Sequence, residues 1–221
     1  MKSPTADAES KSATGTGARM APNLGLIARL SASRFNARMG LVSDVSVGVV
    51  LLAVGLRINP FGVSAAAATI AAGLLVFSFV EYAFHRWLFH GLPNPARDGH
   101  DKHHADPQGY DALPFFMPPL AMLALAGILA LVLPSSTALL LSGALALGYA
   151  SYGVVHTVIH AVRFRRALPM RWAAHHHVHH HHATSNYGVT TPLWDILLGT
   201  RYVSARYAGS IADPAAKRTL P

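Results

Sequence analysis

Fourteen histidines and no cysteine in a chain of 221 residues define the chemistry open to this protein. Without cysteine there are no disulfides, thiolate nucleophiles, cysteine-ligated iron–sulfur clusters or cysteine zinc sites. The histidines fall in four groups. His85 and His90 lie in HRWLFH, and His100, His103 and His104 in HDKHH. His156 and His160 lie in HTVIH, and HHHVHHHH holds seven more from His175 to His182. On a helix, residues three or four apart share a face, so His156 with His160, His100 with His103 and His104, and His176 with His179 and His180 can each grip one metal ion. His85 and His90 break that rule, because five residues turn a regular helix by about 140° off register. Either they serve two ions or the helix loosens toward Gly91. Neutral imidazole suits iron, copper and zinc. Carboxylates are few nearby: Glu81, Asp98, Asp101, Asp106 and Asp195. They fit better as groups that hold an imidazole by its other N–H than as ligands, with Asp98 read as a plain surface carboxylate. A metal-scavenging tract is the simpler reading of HHHVHHHH. The tract is internal and interrupted, however, and NYGVTTPLWDILLGT follows it.

The elements that position these side chains are apolar. Hydrophobic residues make up 52% of the chain and charged residues 13%, about half the charged share of an ordinary soluble domain. Residues 112–162 contain no Asp, Glu, Lys or Arg, and residues 41–84 contain only Asp44, Arg57 and Glu81. A spanning helix needs about 20 apolar residues. Breaks at residues 57–60 and 134–136 divide these stretches into four expected spans, near 41–57, 61–81, 114–133 and 136–156. Four buried helices of a soluble protein are the alternative, but such helices seldom run so long without charge. Of eighteen Lys and Arg, only Arg57 falls in a connection these spans would place outside. That is the positive-inside pattern, and it puts both termini and every histidine at the cytoplasmic face. The net charge of +8 then matches anionic lipid headgroups and not nucleic acid. Residues 1–18 read as a disordered tail without a secretory signal. Residues 19–40 read as a basic interfacial segment, either an amphipathic surface helix or a linker, with Arg19, Arg29, Arg34 and Arg38 among Met20, Leu24, Ile27, Leu30 and Phe35. Residues 41–202 form the membrane domain and 203–221 a C-terminal tail. The expected fold is all-α and multi-pass, with about four transmembrane helices under a cytoplasmic histidine-rich cap that holds a dinuclear metal site.

The series His85-x4-His90, His100-x2-His103-His104, His156-x3-His160 and His176-x2-His179-His180 resembles the integral-membrane fatty acid hydroxylase and sterol desaturase superfamily, most closely its fatty acid 2-hydroxylase branch. HADPQGYDALPFFMPP and YGVTTPLWDILLGT are similar to segments flanking the metal site in that family. The likeness runs over about residues 70–202. It implies a functionally di-iron centre, open to replacement by zinc on purification, with those ten histidines as ligands. Asp195, Glu81 and Tyr187 are candidates for orienting them. In the last tract His175, His177, His181 and His182 would also fit on spacing alone; the chosen set leaves a family-like distance to Tyr187 and Gly188. The resemblance further implies O2 as co-substrate and a membrane lipid or fatty acyl substrate hydroxylated near its carboxyl end. Two electrons would come from a separate donor, cytochrome b5-like or ferredoxin-like, since residues 1–40 are too short for a fused cytochrome b5 domain. A desaturase or a sterol- or carotenoid-modifying oxygenase is the alternative on the same centre. From other classes, a histidine-rich metal transporter would need ligands near the bilayer midplane, and a bis-histidine haem anchor would leave most of the histidines unused. The expected location is a bacterial inner membrane or the endoplasmic reticulum.

Overall fold

The computed structural model describes residues 22–110 and 112–204. The expected tail at 1–18, Arg19 and Met20 of the basic segment, and residues 205–221 lie outside that range. The described residues are helical and contain no strand. Helix α1 (Pro22–Ser31) is separated by two residues from α2 (Arg34–Arg57), which is followed by α3 (Gly62–Ala83) and a π-helical turn (Phe84–Phe89). Then come α4 (Pro95–Ala105), α5 (Met117–Leu129), α6 (Ser135–Ala161), α7 (Ala167–His181) and the short α8 (Leu193–Leu197).

Three of these helices are long and apolar enough to cross a membrane: Arg34–Arg57, the continuous Gly62–Phe89, and Ser135–Ala161. The first is longer than the expected 41–57. Ser33 starts it seven residues earlier by accepting the Asn36 N–H at 3.1 Å, an N-cap that satisfies one of the N–H groups the first turn leaves unpaired. Arg34 and Arg38 of the basic segment thus lie on a helix that is long and apolar enough to cross a membrane. The expected third span, 114–133, is α5, and it has only 13 residues. That gives it about 20 Å of length against a hydrocarbon core of about 30 Å. Prolines set both limits. Pro118 and Pro119 are tolerated only in a first turn, and Pro134 disfavours helix in the residue before it, so 130–133 close in tight turns.

Small residues bring the long helices close and fix their register. A Cβ on Gly48 would fall 2.7 Å from Leu147, and one on Gly55 would fall 2.9 Å from Leu140, so α2 runs antiparallel to α6. A Cβ on Gly73 would meet Ala144 at 2.7 Å, and one on Gly148 would meet Phe77 at 2.4 Å. Both of those pairs are offset by 71 residues, so α3 runs parallel to α6. Continued about two turns beyond Phe77 and Gly148, the same offset puts His85 level with His156. Asn36, fully buried near the start of α2, ties down the strand of chain that enters α5: it donates to the Leu113 carbonyl at 2.9 Å and accepts the Phe115 N–H at 2.8 Å.

Candidate metal centre

Each cluster is carried by a helix end that the sequence specifies locally. Helix α3 does not stop at Ala83 but widens into a π turn, closed by His90 N–H donating to the His85 carbonyl at 3.2 Å. A π turn takes an extra residue per turn, so two histidines five apart come onto one side. The helix does loosen toward Gly91, and His85 and His90 share one group. Asn94 caps α4 by accepting the Ala96 and Arg97 N–H groups at 2.9 and 3.1 Å, with Pro95 in the first turn. This swings His100, His103 and His104 back over the π turn. The last turns of α6 and α7 supply His156, His160, His176, His179 and His180.

These ten side chains gather into two groups of five. One contains His85, His90, His100, His104 and His179; the other contains His103, His156, His160, His176 and His180. Within each, one ring nitrogen per residue lies within 4.8 Å of all the others. The groups abut, with the His104 and His180 rings stacked 4.3 Å apart. Two helices divide their histidines in a way spacing alone does not give. His100 and His104 go to the first group and His103 to the second, while His176 and His180 go to the second and His179 to the first. Four residues keep a face and three do not, because each helix crosses the seam between the groups.

The contacts inside the groups fit a cation. His100 Nε2 lies 3.0 Å from the Nε2 atoms of His85, His90 and His104. A neutral imidazole nitrogen carries either one proton or one lone pair, so it cannot bond three like partners. A metal ion at the centre would engage all of them. Two ligands at right angles on an ion, each about 2.1 Å away, stand about 3.0 Å apart. In the second group His176 Nε2 lies 3.0 Å from His160 Nε2 and 3.1 Å from His180 Nε2, and the buried His156 Nε2 has no hydrogen-bond partner. Five nitrogen donors exceed the four of a structural zinc site, and imidazole without thiolate accommodates iron.

The rings are held neutral, as ligation requires. Burial, reinforced by neighbouring imidazoles, lowers the pKa of His90 and His103 to about 4 and that of His179 to about 3, and pushes His100, His176 and His180 down as well, while burial alone lowers His104. Two rings have their tautomer set by backbone. His179 Nδ1–H donates to the Ser185 carbonyl at 2.8 Å, and His85 Nδ1–H donates to the Tyr187 carbonyl. In both, the Nε2 lone pair is thereby aimed into the first group.

The candidate orienting residues act at one remove. Asp195 touches none of the ten histidines. It accepts the Tyr187 and Gly188 N–H groups at 2.8 Å each, the Thr200 hydroxyl at 2.7 Å and His175 Nε2–H at 3.0 Å. Burial alone would raise its pKa, but these four bonds hold it below the ordinary value. Glu81 accepts the Val189 and Thr190 N–H groups at 2.6 and 2.9 Å and the Thr190 hydroxyl. Two carboxylates therefore grip four consecutive N–H groups of the segment whose Tyr187 carbonyl faces His85. Of the other histidines in the tract, His175 belongs to Asp195, and His182 stacks on Tyr202 at 4.4 Å. His177 and His181 join neither group. Sequence reasoning missed Ser185, Asn186, Thr190 and Thr200. Their contributions are backbone carbonyls and short polar side chains, and the traces they leave are the Ser-Asn-Tyr-Gly run after the tract and the two threonines, Thr190 and Thr200, within YGVTTPLWDILLGT.

Known proteins share the sequence pattern and the fold. The fatty acid hydroxylase family profile matches residues 70–200, which hold all ten of these histidines. A dihydroceramide fatty acyl 2-hydroxylase of Arabidopsis thaliana is 31% identical over 143 residues, 59% of this chain and 59% of its own. Fatty acid 2-hydroxylases of Rattus norvegicus and Mus musculus are 30% and 32% identical over 143 residues, 58% of this chain and 38% of theirs. The chain thus spans between about two fifths and three fifths of the length of these relatives. A solved structure described as full-length scs7p with only its hydroxylase domain visible shares the fold, with a TM-score of 0.64 at 20% identity over 79% of this chain and 69% of that one. With the family profile covering more than half of its length and the two histidine groups within it, this integral-membrane chain belongs to the fatty acid hydroxylase family.

Proposed function

We propose that the chain is a di-iron lipid hydroxylase that places a hydroxyl group on a fatty acyl chain near its carboxyl end, using O2 and two electrons from a donor of cytochrome b5 or ferredoxin type. The observation that carries this reading is the convergence of ten imidazoles into two adjoining groups of five. Bound there, two iron ions would supply the oxidising power to cleave dioxygen and attack an unactivated C–H bond.

The protein's own residues do the rest. The ten imidazoles hold the metals as neutral donors, with the rings of the first group fixed through Ser185 and Tyr187. His85, His176 and His179 are buried, which keeps bulk water from the site. Tyr152 stacks on His156 at 5.3 Å and closes the side toward the membrane. Within a turn or two of His156 along α6, a groove of about 310 Å³ runs between α2 and α6, lined by Leu41, Val45, Leu147, Ala150, Ser151, Val154 and Val155. Its lining suits an acyl chain, whose polar end would then remain at the aqueous boundary beside the cap.

Mass spectrometry of acyl chains from cells expressing the wild type beside His179→Ala tests the reading. The expected result is a gain of one oxygen on the carbon next to the carboxyl, absent in the variant. Unchanged acyl chains from cells whose wild-type protein carries two iron ions would overturn it.

A further inference from the structure

The two histidine groups differ in how their rings are held. In the first, His85 and His179 are locked by Nδ1–H bonds to backbone carbonyls of one short segment, at Tyr187 and Ser185. In the second, the Nδ1 atoms of His176 and His180 are buried without a hydrogen-bond partner. A ring anchored through its far nitrogen has its tautomer and plane fixed before metal arrives. A ring without such an anchor must be ordered by the metal itself.

Asn186, between the two carbonyls, makes the double anchor geometrically available. It is the one non-glycine among the described residues with positive φ, at 56°. A left-handed residue reverses the backbone locally, and the reversal lies between the Ser185 carbonyl, which faces His179, and the Tyr187 carbonyl, which faces His85. Asparagine tolerates this conformation better than other side chains that bear a Cβ. Its amide also pins the turn: Nδ2 donates to the His175 carbonyl at 3.0 Å, Oδ1 accepts the Tyr202 N–H at 2.7 Å, and its own N–H donates to the Thr200 carbonyl at 2.9 Å. Downstream, Asp195 and Glu81 hold the N–H groups of residues 187–190, so the segment is fixed from both ends.

We infer that Asn186 is a positioning residue that pre-organises the group formed by His85, His90, His100, His104 and His179, and that this group therefore loads metal first and more tightly than the other. The inference rests on the di-metal reading above. It assigns the two sites different roles in assembly, with the second group as the one that fills last and empties first.

The test is an anaerobic titration of metal-free full-length protein in detergent with Co(II), followed by visible absorption, for wild type, Asn186→Ala and Asn186→Gly. Wild type is expected to bind two ions in two resolved steps. Asn186→Ala should weaken the first step about tenfold and leave the second within twofold. Asn186→Gly, which accepts positive φ at no cost, should recover most of the lost affinity. A general loss of packing would instead lower both steps together and would show in the thermal midpoint of the metal-free protein. Two indistinguishable steps in wild type, or equal weakening of both in a folded Asn186→Ala, would overturn the inference while leaving the di-metal reading in place. Should Asn186→Ala fail to fold, His179→Ala, which removes a ligand of the first group alone, decides the order of loading: loss of the tighter step bears the inference out, and loss of the weaker step overturns it. Binding of no ion or only one by wild type would instead overturn the di-metal reading itself.

Discussion

At the scale of single residues, an imidazole is a ligand only when its lone pair points at the ion, and that is decided by what holds the opposite nitrogen. In the histidine tract, three of seven rings point inward, while His175 is taken by Asp195 and His182 by Tyr202. His179→Ala should accordingly lower bound metal below two ions per chain and abolish turnover, whereas His182→Ala should leave metal content unchanged. Elemental analysis of the two purified variants checks this, and equal losses would contradict it. Protonation is the second threat to a lone pair. An unfolded imidazole binds its proton near pH 6.5, whereas burial keeps folded His90 and His103 unprotonated down to about 4. Across that window the unfolded chain binds more protons than the folded one. The stabilisation is therefore complete above pH 6.5 and is lost as pH falls toward 4, with metal released along the way. Metal retained after dialysis at stepped pH would trace the loss; full retention at pH 4 would contradict it. Helical spacing pointed to histidine pairs but left His175, His177, His181 and His182 open, and it was the resemblance that singled out the ten that gather. Their division between two groups was not legible, since it depends on how α4 and α7 cross. The carbonyls of Ser185 and Tyr187 were not legible either, because a backbone carbonyl carries no residue signature.

At the scale of elements, the long apolar helices were legible from the missing charges, and the exceptions have local causes. The Ser33 cap lengthens α2, and prolines shorten α5. The π turn at residues 84–89 had a sequence trace, in that five-residue spacing and regular helix are incompatible for two histidines of one group. Depth is set by the register of α3 against α6, which Gly73 and Gly148 permit by removing Cβ atoms at the closest approach. Gly73→Val would push its side chain into Ala144 and should cost about 1–3 kcal/mol. By displacing His85 from the level of His156 it should also reduce metal content. A thermal unfolding curve read beside metal content checks this, and a destabilised variant with two ions per chain would contradict the register argument. On α6, Ser151→Phe should fill the groove between α2 and α6 and lower turnover of long acyl chains more than short ones. Unaltered chain-length preference would remove that groove from the substrate path.

At the scale of the whole molecule, the arrangement is asymmetric. Three long helices and a short one carry nothing acidic beyond Asp44 and Glu81 in the described spans, and both histidine groups found among the described residues gather at one end. A conduction path would distribute ligands through the membrane, whereas a site collected at one boundary suits a reaction on a lipid whose head stays in water. That end also carries Arg163, Arg165, Arg166 and Arg171, in keeping with a cytoplasmic orientation. The proposed reaction inserts one atom of dioxygen into an acyl chain at these two histidine groups. It is tested most directly by supplying iron-loaded protein in lipid with an electron donor and isotopically labelled dioxygen, then weighing the acyl product. The prediction is a product carrying one labelled oxygen, formed by wild type and not by His179→Ala. Unlabelled product, or labelled product formed equally by the variant, would contradict it.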